Sequence, residues 1–150
     1  MKSDQTKLKT PFKAAGITSP KGITPTVVEF LRKAKDSGLI DTAIMPVVVP
    51  SGDSYAWVLI EEDALFANAN ALPPIMTVQG GKVLSSLTKH GSPELKVAAV
   101  MRPCEIRATI ELAKINQVDL TNVLLISMDC PGAMPIQDYL SNHEAGEKAF

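Results

Sequence analysis

The chain has 150 residues, 45% of them hydrophobic, with 15 basic against 16 acidic side chains and a formal net charge of −1. That length suits one domain with a real core, and the balanced charge excludes the broad positive field that holds nucleic acid or an anionic membrane. No apolar run approaches the ~20 residues of a spanning helix, and the polar start Met1–Lys9 lacks the apolar stretch of a leader, so the sequence predicts a cytoplasmic protein with no membrane span.

Thr10 to Pro20 carries prolines and a glycine too closely spaced for a long element. We expect residues 1–20 to form an extended arm packed by Phe12 and Ile17, and residues 21–150 to form the folded domain. Thr24-Pro25 reads as an N-cap followed by proline at the first helical position, with Val27, Val28, Leu31 and Ala34 on one face and Gly38 past the end, which predicts a helix over Pro25–Ser37. Lys21-Gly22 before it could present backbone amides to a phosphate. A plain capped helix after a turn glycine explains the same residues.

Leu39 to Val49 is apolar and β-branched, and Tyr55 to Ile60 alternates, so with the turn Pro50-Ser51-Gly52-Asp53 they predict a β-hairpin. Tyr55 and Trp57 read as packing rather than a flavin platform, with one of the two facing the core. Glu61-Glu62-Asp63 reads as a solvated helix start, and Leu72-Pro73-Pro74-Ile75-Met76 as extended chain. A helix then opens at Gly80-Gly81 and runs through Val83, Leu84 and Leu87 towards His90-Gly91. The double glycine with Lys82 is a second possible phosphate cradle, although its spacing is neither that of a Walker loop nor that of a dinucleotide fingerprint.

The stretch from Lys96 to Gly132 organises the rest. Lys96 to Met101 and Val123 to Met128 read as buried strands, and Arg107 to Ile115 as the helix between them, giving a βαβ unit with parallel strands. Each strand leads to a cysteine beside a proline, Cys104 after Arg102-Pro103 and Cys130 before Pro131-Gly132, so both thiols leave the sheet at the edge where open α/β sheets place ligands. Cys104 opens a helix, where the dipole with Arg102 and Arg107 favours a thiolate. The two are the chain's only cysteines, and such a pair points to a metal or redox element, the bland alternative being two small buried hydrophobes. Two sulfurs cannot fill the four-coordinate shell of zinc or of a four-iron cluster, and His90 and His143 match no zinc spacing, so further ligands are expected from a partner chain or a missing C-terminal segment. Ile136 to Phe150 shows no strong closing element.

Val100-Met101-Arg102-Pro103-Cys104-Glu105-Ile106-Arg107-Ala108, followed by Val123 to Met128 and Asp129-Cys130-Pro131-Gly132, resembles the beta subunit family of coenzyme F420-dependent hydrogenases and dehydrogenases, which includes formate dehydrogenase beta subunits. The Lys21-Gly22-Ile23-Thr24 helix start, the hairpin and Gly80-Gly81-Lys82 follow in that family's order, so the likeness runs from Lys21 to Gly132. The resemblance implies an α/β fold, an open and mainly parallel sheet with flanking helices and a hairpin insertion. It further implies an electron-transfer oxidoreductase subunit that passes electrons between FAD, a [4Fe-4S] cluster and a deazaflavin such as coenzyme F420, alongside other subunits of a hydrogenase or dehydrogenase complex. By motif match, Cys104 and Cys130 would be cluster ligands, and Lys21, Gly22, Thr24, Gly80, Gly81, Lys82 and Arg102 would lie at the cofactor. Family members carry further spaced cysteines downstream, which a truncated chain would lack. The alternative is a non-catalytic docking subunit of an electron-transfer complex, with the fold but no complete cofactor site.

Overall fold

The computed structural model describes residues 20–149, and the arm expected over residues 1–20, with Phe12 and Ile17, lies outside them but for Pro20. The described residues form α1 (Ile23–Asp36), β1 (Thr42–Val48), β2 (Tyr55–Ile60), a 3-10 turn (Asp63–Asn68), α2 (Gly80–Leu87), β3 (Val97–Met101), α3 (Pro103–Lys114), β4 (Val123–Ser127), α4 (Ile136–Ser141) and α5 (His143–Ala149). The four strands make one open sheet in the order β2-β1-β3-β4. β1 and β2 are the expected antiparallel hairpin, whereas β1–β3 and β3–β4 are parallel, Met101 standing opposite Ser127. This is the mainly parallel α/β architecture that the sequence implied.

β3 explains why its sequence has no polar alternation. Val97, Ala99 and Met101 pack with Ile44, Leu84 and the inner sides of α2 and α3, while Ala98 and Val100 pack with Val28, Leu31, Ala34, Met45 and Ile60 under α1. A strand covered by helices on both faces is apolar throughout. β4 is a half-covered edge strand, with Leu124 38% exposed.

Pro46 lies within β1 because of how its partners diverge. β3 pairs only with Thr42, Ala43 and Ile44, and further along, the Asn70 amide donates to the Pro46 carbonyl at 2.9 Å beside a Val47–Ala69 bridge. The missing proline N–H therefore faces the place where the parallel ladder has already ended.

Several boundaries differ from expectation. α1 begins at Ile23 with Gly22, at φ +88°, as its N-cap, so Thr24 and Pro25 sit inside the first turn. A first-turn proline forfeits no helix bond, and the Thr24 hydroxyl is used outside the helix. Leu39 and Ile40 precede β1, Leu39 being exposed. Tyr55 and Trp57, two apart on one strand, share a face: Tyr55 is buried and Trp57 is half-buried against the α2–α3 cluster, so the expectation that only one faces inward is corrected. Leu72–Met76 contains bends and no strand, yet Ala71 to Ile75 is buried. The final stretch closes on itself as α4 and α5, with Tyr139 fully buried.

Candidate functional site

The N-termini of α1, α2 and α3 all lie at the end of the sheet where β1, β3 and β4 finish, since each helix runs antiparallel to the strand it precedes or follows. At that edge β3 gives way to Arg102 and α3, and β4 gives way to the Asp129–Gly132 loop. Cys104 is the second residue of α3 and is exposed; Cys130 is half-buried, and both are free thiols. The two therefore stand beyond the same end of neighbouring parallel strands, whose spacing is ~5 Å. Gly132 takes φ +125°, a turn that a side chain would resist, and the Cys130 thiol lies 3.5 Å from the Gly132 carbonyl.

Arg102 is 4% exposed. Its Nη1 donates to the Gly132 carbonyl at 2.6 Å, and its Nη2 donates to the Pro73 carbonyl. Among the described residues its guanidinium has no carboxylate within ion-pair distance, the ion pairs being Lys21–Glu29, Lys33–Glu29, Lys35–Asp63 and Lys114–Glu111. A nearby buried carboxylate serves backbone instead: Glu105 Oε2 accepts from the Arg102 amide at 2.9 Å and Oε1 from the Gly80 amide at 2.8 Å. Glu105 thus satisfies amides at the start of α2 and α3 together. The spacing of Glu three residues after a helix's entry residue is a legible capping signal, and it is the residue that sequence reasoning passed over.

The remaining candidates divide between the two sides of the sheet. Lys21 and Gly22 lead into α1 and Thr24 lies in its first turn, on one face; Gly80, Gly81 and Lys82 open α2, on the other. Lys21 is paired at 3.0 Å with Glu29, whose carboxyl is held down to about 2 by hydrogen bonds from Lys33 and Lys21. Thr24 donates to Asn70 Oδ1 at 3.2 Å and accepts from the Ala71 amide at 3.0 Å. The double glycine is closely packed: a Cβ on Gly80 would come within 3.0 Å of Trp57 and Met101, and one on Gly81 within 2.9 Å of Gln79 Oε1 and 3.2 Å of the Thr109 backbone nitrogen. The Gly80 amide is thus taken by Glu105. The Lys82 amide is likewise capped, by Gln79 Oε1 at 3.1 Å.

A second cluster, unsuspected from sequence, closes one flank of this edge. The Tyr55 and Tyr139 hydroxyls both donate to Glu147 Oε1 at 2.7 Å, and Asn70 Nδ2 donates to the Tyr55 oxygen at 3.2 Å. Since Asn70 also holds Thr24, a continuous polar chain joins the start of α1 to α5. Burial first, then the Glu147 carboxylate, pushes the Tyr139 hydroxyl up to about 12 and moves Tyr55 in the same direction. His143 meets the Tyr139 ring edge-on at 6.4 Å.

The chemistry this edge can support follows from its donors. Cys104 and Cys130 offer two thiol donors, where an iron–sulfur cluster takes four ligands, and no group of three His, Cys, Asp or Glu residues stands together among the described residues. They make half of a shell and do not complete one. The crevice between Trp57, Pro73, Val78, Arg102 and Glu105 has a volume of about 10 Å³, room for one water. A larger open hollow of about 710 Å³, lined by Thr88, Lys89, Asn116 and Asp119 among others, lies at the far end of α3, ~18 Å of helix away from Cys104.

Fold and edge together define an α/β domain that presents two free thiols and a buried arginine at the carboxyl edge of a parallel sheet. No family model matches the chain. Over 101 residues, 67% of its length, the chain is 30% identical to F420-dependent formate dehydrogenase 1 subunit beta of Methanococcus maripaludis. Over 39 residues, 26% of its length, it is 44% identical to F420-dependent formate dehydrogenase subunit beta of Methanocaldococcus jannaschii. It spans 25% of the first relative and 10% of the second.

Proposed function

We propose that the chain is part of an electron-transfer subunit of the F420-dependent formate dehydrogenase beta type, working within a complex of partner subunits, and that Cys104 and Cys130 are two thiolate ligands of its [4Fe-4S] cluster. The observation that carries this reading is the placement of the chain's two thiols beyond adjacent parallel strand ends, with the relatives' names giving the reaction class. A cluster supplies one-electron transfer when bound. The chain's own part is to hold two sulfurs and to place the Arg102 charge beside them, where it favours an anionic group. The other ligands come from outside the described residues. FAD and coenzyme F420 belong to the reading at the level of the whole complex, and no step is assigned to the described residues through either. Half a ligand shell favours one second reading, a docking subunit without a complete site.

Anaerobic reconstitution with iron and sulfide separates the two. The electron-transfer reading expects bound iron and sulfide with a broad visible absorbance in the reconstituted complex, lost in Cys104→Ser and in Cys130→Ser. Colourless, iron-free protein from a complex that assembles normally is the docking result.

A further inference from the structure

We propose that Arg102 is a positioning residue, the bracket that holds the Cys130 loop against the α3 start carrying Cys104; this rests on the reading that the two thiols act together. Arg102 is followed after one residue by Cys104, and its guanidinium reaches across to the Gly132 carbonyl, the same oxygen that the Cys130 thiol approaches. Its second nitrogen fixes the Pro73 carbonyl, and the adjoining Pro74 carbonyl accepts from the Met134 amide at 2.7 Å. The Cys130 loop is thereby strapped at two places, residues 132 and 134, to the 73–74 segment and to the end of β3. A planar fork with two parallel donors suits two carbonyls on separate segments, which a lysine's single nitrogen on a flexible stem does not. Both acceptors are neutral, so the bracket leaves a buried positive charge beside the carbonyl that the Cys130 thiol approaches. The Arg102 backbone is fixed independently by Glu105, so the side chain swings from a rigid base.

The test uses the 150-residue chain, whose two cysteines need no other substitution. Wild-type protein treated with a short bifunctional maleimide is expected to join Cys104 to Cys130 within one molecule. Arg102→Met should cut that yield at least fivefold and speed exchange of the Met134 amide at least tenfold, the lower bound for losing one charge-assisted hydrogen bond, while amides of Val97–Met101 keep their protection. Arg102→Lys should recover part of the yield. Gly132→Ala, exposed and with an unfavourable φ of +125° for any side chain, should lower the yield without touching the core, and serves if Arg102→Met does not fold. Wild-type yield and wild-type Met134 exchange in folded Arg102→Met, or in Gly132→Ala should that be the only folded variant, overturn the bracket. Absence of any cross-link in wild type, with each thiol alkylating singly, overturns the two-thiol reading instead, and Met134 exchange then still decides whether Arg102 holds the loop.

Discussion

Gly81→Ala decides between two uses of the double glycine. If Gly80-Gly81 mainly cradles a phosphate, an added methyl leaves the ligand-free protein unharmed, and the gain in helix propensity, up to ~1 kcal/mol, could even stabilise it. The structure argues otherwise, because the new Cβ would stand 2.9 Å from Gln79 Oε1, 3.1 Å from Thr109 Oγ1 and 3.2 Å from the Thr109 backbone nitrogen. Gln79 can swing away, but the Lys82 amide then loses its side-chain acceptor and keeps only the Gln79 backbone carbonyl at 3.0 Å, a loss of up to ~1 kcal/mol. The α3 backbone at Thr109 cannot move alone, and crowding of this kind costs about 1–3 kcal/mol. Set against the propensity gain, the net destabilisation is about 2 kcal/mol, a fall in Tm of roughly 4–8 °C for a chain of this size. Thermal unfolding followed by circular dichroism measures it. A Tm equal to or above wild type would refute the packing account of α2 on α3.

Glu105→Ala removes the acceptor for the Gly80 and Arg102 amides and should destabilise by about 2–4 kcal/mol, read by urea denaturation; a loss under ~0.5 kcal/mol would mean that water replaces the carboxylate freely. The chain has two tyrosines, so phenolate absorbance reports Tyr55 and Tyr139 alone. Because the folded Tyr139 value lies at about 12, above the ordinary 10, stability from this group is fully present below pH 10 and is lost as pH rises through about 12. The folded chain should therefore show no phenolate step near pH 10, where urea-unfolded chain does; a step there in folded protein contradicts the Tyr–Glu147 cluster. Tyr139→Ala should free α4 and α5, seen as faster limited proteolysis across residues 133–149 with the sheet intact, and unchanged proteolysis would show that Tyr139 does not anchor them.

What the sequence made legible followed from strong local rules. The unbroken apolar run at β3, the hairpin with its Pro50–Asp53 turn, and Pro103 opening α3 each express a constraint carried by neighbouring residues, and together they put both cysteines at one sheet edge. What escaped depends on contacts between distant segments. Tyr139 and Glu147 lie in a polar-looking tail whose burial exists only because Tyr55 and Ile75 wait across the fold. Glycines at a helix start read the same whether they admit a phosphate or a neighbouring helix, and only the positions of Thr109, Trp57 and Met101 show the packing. Thr24 looked like a cap because Ser and Thr before proline usually are, but Asn70, 46 positions away, takes its hydroxyl. Arg102 beside a cysteine suggested charge compensation, whereas its grip on the Gly132 carbonyl belongs to tertiary structure alone.

The distance between the two thiols tests the account most directly. Nitroxide labels on Cys104 and Cys130, the only cysteines available, give that separation by double electron–electron resonance. Adjacent strand ends ~5 Å apart, with two label arms added, predict a narrow distribution centred within about 20 Å; a distribution centred well beyond about 30 Å would contradict a shared site for the two sulfurs.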